Sequence, residues 1–148
     1  MSDTPLRRVD TDTVAGFIDK VAWLRVEDGR VLATRSHGRT LYYLPGGERE
    51  PGETDLQTLT REVAEELTVT IMPETVTPVG TFEAQADAQP PGVLVRMACY
   101  AADYDAAGAL SPSAEIAELA WLTYADRDRV SPVEQLVFDQ LHATGELT

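Results

Sequence analysis

At 148 residues, 43% apolar and 25% charged, the chain has the size and composition of one globular domain with a core of its own. A formal net charge of −13 argues against a nucleic-acid polymer or an anionic membrane surface as partner, yet leaves room for a nucleotide carried with a cation. No transmembrane run of about 20 apolar residues is present, no apolar signal-peptide centre is evident, and Cys99 is the single cysteine, so a cytoplasmic protein without an intrachain disulfide is expected.

Residues 1–14 are polar and read as an arm that is loose or held by a partner subunit, with one domain over residues 15–148. Phe17 to Val26 reads as a strand, turned at Asp28-Gly29 into Val31-Leu32-Ala33. His37, in Ser36-His37-Gly38-Arg39, reads as part of a hairpin tip and is expected at the surface. Thr40 to Leu44 forms a short strand leading into the turn residues Pro45-Gly46-Gly47 and Pro51-Gly52. A helix follows from Thr54 to about Thr68. Thr54 and Gln57 have capping-box spacing, and Leu56, Leu59, Val63 and Leu67 form one apolar stripe.

Val76 to Ala84 and Val93 to Ala102 read as two more strands around Gln89-Pro90-Pro91-Gly92. Cys99 lies in the apolar run VLVRMACYAA and reads as a buried hydrophobe. Leu119 to Thr123 is a short strand with Trp121 in the core. Ser131, Pro132 and Glu134 start a last helix by N-cap, first-turn proline and capping-box partner, and Gly145 stops it. Its stripe is Val133, Leu136, Val137 and Leu141. The order β-β-β-α-β-β-β-α predicts an α/β fold, a mixed β-sheet between helices.

Chemistry concentrates in residues 47–69, which spell G-x5-E-x7-R-E-V-x-E-E-x-T-V. On a helix, Glu62, Glu65 and Glu66 are neighbours, and like charges so placed repel. At roughly 100° per residue they sit about 110° from the apolar stripe, at the edge of the packed face. A hard divalent cation reverses the repulsion, since Mg²⁺ takes oxygen ligands from carboxylates and substrate phosphates. The segment therefore reads as a metal site for diphosphate chemistry.

The stretch resembles the Nudix box, G-x5-E-x7-R-E-U-x-E-E-x-G-U, where U is a bulky aliphatic residue. Gly47, Glu53, Arg61, Glu62, Val63, Glu65, Glu66 and Val69 match, whereas Thr68 stands where the family usually has glycine. A β-branched residue with positive φ would be an outlier, so the helix is expected to leave by a different route there. The resemblance implies an α/β/α sandwich and a hydrolase cleaving the phosphoanhydride of a nucleoside diphosphate linked to another moiety. It implies Mg²⁺, with Mn²⁺ as the alternative, held by Glu62, Glu65, Glu66 and the Gly46 carbonyl.

By the same resemblance, Glu53 and Arg61 form an ion pair bracing the loop against the helix, with water orientation a second role for Glu53. The general base stays open between a box glutamate and Glu115, which lies in a segment similar to the family's acid-bearing loop before a tryptophan strand; Glu115 is also a candidate ligand. Glu118 is expected to be structural. Arg35, Arg39 and Arg96 are candidates for substrate phosphate, and Tyr42 or Tyr43 for stacking on a base.

Branch markers are mostly negative. Gln85 stands where the ADP-ribose branch tends to have proline, and Asp87 where the dinucleoside-polyphosphate branch prefers tyrosine. By elimination the expectation is a nucleoside triphosphate pyrophosphatase. The alternatives are a Nudix-like nucleotide-binding or regulatory module with little catalysis, suggested by Thr68, and an acidic structural domain. Nudix enzymes are often dimers, so a homodimer is a further expectation by analogy.

Overall fold

The computed structural model describes residues 17–148. The expected arm over residues 1–14 lies outside them. Seven strands and two helices follow one another: β1 (Phe17–Trp23), β2 (Val26–Glu27), β3 (Arg30–Ser36), β4 (Gly46–Glu48), α1 (Asp55–Leu67), β5 (Thr77–Gln85), β6 (Leu94–Ala101), β7 (Ile116–Leu122) and α2 (Pro132–Ala143).

The strands form two sheets, a four-stranded one in the order β4-β1-β6-β5 and a three-stranded one in the order β2-β3-β7. The first is mixed, because β1 runs parallel to β6 and antiparallel to β4. Alternation along the strands creates the two packed layers. On β1, Val21 and Trp23 face α1, in one cluster with Leu59, Val63 and Leu67. Ala22 faces the other way, into a cluster with Val133, Val137, Phe138 and Leu141 of α2. On β3, Leu32 joins the first cluster, and Val31 and Ala33 the second. This is the expected α/β arrangement of sheet between helices. Among the described residues, no helix is long and apolar enough to cross a membrane.

The capping box of α1 forms as its sequence predicts, with the Gln57 N–H donating to Thr54 Oγ1 at 3.1 Å and the Thr54 N–H donating to the Gln57 side chain at 2.9 Å. Leu59, Val63 and Leu67 are wholly buried, each contributing about 1.5–3 kcal/mol by removal from water. Leu56, at the first turn, is 38% exposed. In α2, Leu136 is likewise exposed and Phe138 takes the buried position. Glu134 has no cap bond to the Ser131 backbone. Its side chain is buried, accepting from Ser131 Oγ and, at 3.1 Å, from the Leu44 N–H.

Two strand expectations are corrected. Phe17 to Val26 is broken after Trp23, where the Leu24 N–H bonds to the Tyr100 carbonyl and the Arg25 carbonyl accepts from Leu32; the chain passes there from one sheet to the other. Thr40 to Leu44 makes only isolated bridges, Tyr43 to Thr34 and Tyr42 to Val130. Its backbone groups serve two different neighbours, so no ladder extends. The strand forms next door, at β4, where the glycines pair with Val21 and Ala22.

Candidate active site

Helix α1 carries Glu62 and Glu66 to the mouth of a cleft of about 440 Å³ between the two sheets and the start of α2. Glu66 is only 5% exposed and accepts a hydrogen bond from the Gly46 N–H at 3.0 Å. Glu62 packs over Gly47. A Cβ on Gly47 would lie within 2.7 Å of both carboxylate oxygens of Glu62, so glycine is required for that approach. Gly46 has φ +146°, and a Cβ there would run into the Val21 carbonyl.

Glu115 arrives from the other side of the molecule because the end of α1 docks its loop. The Ser111 and Ser113 N–H groups donate to the Leu67 and Glu66 carbonyls at 3.1 and 2.9 Å, satisfying acceptors that a helix C-terminus leaves open. Thr68 makes that junction. It sits in the left-handed conformation, φ 62° and ψ 25°, correcting the expectation of a different exit route. Its N–H bonds to the Ala64 carbonyl, and its Oγ1 donates to the Ala109 carbonyl at 3.3 Å. A β-branched residue pays about 1–2 kcal/mol for this conformation, and these bonds with the docked loop hold it there.

Carboxylate oxygens of Glu62, Glu66 and Glu115 all lie within 4.8 Å of one another. Burial pushes the Glu66 carboxyl up to about 8, with Glu62 and Glu115 adding to the rise and the Gly46 N–H and Lys20 opposing it. Burial also raises Glu62, against the pull of Arg61. Crowded hard oxygen donors whose charges resist coexistence form a set that fits a divalent cation such as Mg²⁺. Glu65 is outside this group. Its side chain is 53% exposed and stands 3.6 Å from Arg61 Nη1.

Arg61 organises the loop. Its Nε and Nη2 donate to the two Glu53 oxygens at 2.7 and 3.0 Å, its Nη1 reaches Glu62 at 2.9 Å, and its Nη2 also donates to the Glu48 carbonyl at 3.1 Å. Glu53 further accepts from the Glu50 N–H and Thr58 Oγ1, both at 2.9 Å. Arg61 first, then these donors, lower its carboxyl to about 2. Glu53 thus stands as an ionised brace with its oxygens in use. Arg49 adds a second tie from the same loop, to Asp19 and Asp55.

Of the expected substrate contacts, the cleft is lined by Arg39 and Tyr43 but not by Arg35, Tyr42 or Arg96. Arg39 donates to Asp87 Oδ2 at 3.0 Å and to the Tyr43 hydroxyl at 3.1 Å. Arg35 pairs with Glu118 at 3.0 Å, and the buried Tyr42 donates its hydroxyl to the same carboxylate, which gives Glu118 its structural role. Arg96 pairs with Glu83 and lies over the Phe17 ring at 4.4 Å. It is aligned with Asp19 on β1, on the sheet face opposite Lys20. His37 is exposed, Trp121 half-buried, and the Cys99 thiol buried and pushed up to about 12.

The sequence reading gave Lys20 no role and did not assign Asp87 or Ser131 to the site, yet all three line the cleft. For Lys20 the signal was available: it interrupts the apolar face made by Ile18 and Ala22 on β1. Asp87 and Ser131 carry no such pattern, because only the packing of their loops brings them to the cleft.

Comparison with solved structures returns the same architecture. The solution structure of the E. coli ORF135 protein matches with a TM-score of 0.67 at 23% identity, covering 86% of this chain and 89% of that one. The MutT protein from Methanosarcina mazei Go1 matches at 0.66 and 22% identity, over 87% and 95% of the two chains. A UDP-X diphosphatase matches at 0.64 and 19% identity, over 90% of this chain and 66% of that one. At such identities the likeness concerns the fold. No curated protein matches the sequence significantly. The NUDIX domain model matches residues 18–140. With a match over most of its length, the chain belongs to the Nudix family of hydrolases acting on pyrophosphate bonds.

Proposed function

We propose that this enzyme is a Mg²⁺-dependent nucleotide pyrophosphohydrolase whose preferred substrates are nucleoside triphosphates. The observation that carries the reading is the convergence of Glu62, Glu66 and Glu115 at the mouth of a cleft large enough for a nucleotide. Glu62, Glu66, Glu115 and the Gly46 carbonyl would hold the ion, with Mn²⁺ as an alternative occupant. When bound, such an ion neutralises phosphate charge and acidifies water.

The protein groups then divide the work. Arg61 and Glu53 fix Glu62 and the glycine loop in place, so the carboxylates need little reorganisation. Burial raises the Glu66 carboxyl, and its ionised form is the one that would take a cation. Glu115, the exposed member, is positioned on a loop where its carboxylate can take a proton from an attacking water. Outward along the cleft, Tyr43, Arg39 and Asp87 offer a ring face and hydrogen-bonding groups of both kinds to a nucleoside. Structures that share the fold include both a MutT and a UDP-X diphosphatase, so the substrate preference rests on the branch markers in the sequence.

The test is release of phosphate, diphosphate and nucleotide from a panel with and without Mg²⁺. The panel holds nucleoside triphosphates with their oxidised forms, ADP-ribose, nucleotide sugars, dinucleoside polyphosphates and coenzyme A. Expected are Mg²⁺-dependent turnover of triphosphates, its loss in Glu66→Gln, and a smaller loss in Glu65→Gln. Turnover confined to another class would replace the substrate assignment. Tight nucleotide binding without turnover of any compound would favour the alternative, a Nudix-like binding or regulatory module.

A further inference from the structure

The cleft contains a cation that has an aromatic neighbour but, among the described residues, no hydrogen bond and no ion pair. Lys20 lies midway along β1, on the face shared with Ile18 and Ala22, so its stem crosses the apolar floor of the cleft. Its Nζ stands 5.1 Å from the centre of the Tyr43 ring. Among the described residues it makes no hydrogen bond and no ion pair, although the chain carries a net charge of −13. Of the described lysines and arginines only Arg30 shares that condition, and Arg30 is exposed on a hairpin, whereas Lys20 is half-buried. Two acids feel its charge without contacting it, Glu66 on the side of the carboxylate cluster and Glu134 beneath.

A half-buried ammonium has three donors and pays for lost hydration unless something accepts from them. The acids around it already accept from other donors of the protein. Glu66 accepts from Gly46, Glu134 from Leu44 and Ser131, and Asp87 from Arg39 and Tyr43. Open space lies instead on the cleft side, beside the carboxylate cluster. An anion entering there meets a preformed point charge, the geometry for which lysine suits a phosphate.

We propose that Lys20 is a substrate-binding residue whose ammonium takes a phosphoryl oxygen of the substrate in the cleft that Glu62, Glu66 and Glu115 also line. The inference rests on the hydrolase reading for its substrate, but the contact itself concerns phosphate. It gives one cleft carboxylates for the cation and an ammonium for the anion.

Calorimetric binding of inorganic diphosphate in the presence of Mg²⁺ tests it without reference to turnover. Lys20→Met keeps the unbranched apolar stem and removes the charge. It is expected to weaken diphosphate binding about 10- to 100-fold, the value of one charge-assisted hydrogen bond, while Mg²⁺ affinity alone stays within about threefold of wild type. Lys20→Arg is expected to recover most of the affinity. Wild type that fails to bind diphosphate, or a Lys20→Met protein that binds it equally well, overturns the proposal. So does a Lys20→Met protein that loses Mg²⁺ and diphosphate together, or one that no longer folds while Lys20→Arg binds diphosphate no better than that loss predicts. Turnover of the substrate panel is scored separately. Lys20-dependent diphosphate binding with no turnover would sink the hydrolase reading alone, and turnover with Lys20-independent binding would sink this inference alone.

Discussion

Gly47 leaves no room for a side-chain carbon, and that gives a sharp test of how the carboxylate cluster is built. A Cβ would fall within 2.7 Å of both Glu62 oxygens. The backbone at Gly47 does not have positive φ, so Gly47→Ala imposes no conformational strain of its own. The obstacle is the end of a flexible side chain, and Glu62 can rotate away toward the cleft. Doing so costs the 2.9 Å contact with Arg61 and takes one of three oxygens out of the 4.8 Å group. Displacing a ligand's support lowers metal affinity about 10- to 100-fold, which equals about 1.4–2.8 kcal/mol. Thermal stability should change by only about 1 kcal/mol, since Arg61 keeps its two bonds to Glu53 and a half-buried contact at the cleft edge is exchanged for water. Titration of Mg²⁺ or Mn²⁺ by calorimetry, with melting curves in chelator, separates the two quantities. Metal affinity within twofold of wild type would refute the argument, because Glu62 would then bind from a position that Gly47 does not protect.

Other consequences concern the groups around the cluster. Burial raises the Glu134 carboxyl, so the folded state keeps its proton to higher pH than the unfolded chain. Its contribution to stability is therefore complete below the ordinary carboxyl value and is lost as pH rises through the raised one, at up to about 1.4 kcal/mol per pH unit. Glu134→Gln, which can pair with both Leu44 and Ser131, should flatten that slope in denaturant unfolding measured between pH 4 and pH 8, taken as about the range of carboxyl titration here; an unchanged slope would show that Glu134 titrates normally. Glu134→Ala should cost about 2 kcal/mol or more, from the buried Leu44 N–H left unpaired, and an effect near zero would mean water replaces the carboxylate. Arg61→Lys loses the two-pronged grip on Glu53. It should release the Glu53 carboxyl upward from about 2 toward its ordinary value in an NMR titration and reduce turnover about tenfold or more. A Glu53 that still titrates near its present value would assign the lowering to the Glu50 N–H and Thr58 instead.

Local chemistry was legible in the sequence wherever short-range rules dominate. Thr54 and Gln57 cap α1 as their spacing requires, Leu59, Val63 and Leu67 bury as a stripe, and Pro132 opens α2. Glu62 and Glu66 could be placed on one helix edge because 3.6 residues per turn fixes their relation. Arg61 could be assigned to Glu53 by resemblance, and both oxygens prove to be gripped. The same rules could not separate Glu65 from its neighbours. Helix periodicity sets angles around one axis, whereas the position of the opposing loop decides which carboxylates meet a partner.

Tertiary structure decided the rest. Glu115 joins the cluster because Ser111 and Ser113 cap the open carbonyls of α1, a pairing across more than 40 residues of chain. Thr68 keeps a left-handed conformation that its side chain disfavours because the docked loop holds it. Strand β4 forms in a glycine segment without strand propensity because β1 offers it an unpaired edge. Lys20 became a candidate for phosphate only when packing showed it lining the cleft, among the described residues without a hydrogen bond or ion pair. The sequence determined which groups this protein possesses and how each helix presents them; long-range hydrogen bonds and packing, which leave no periodic mark, determined which of those groups face one another across the cleft.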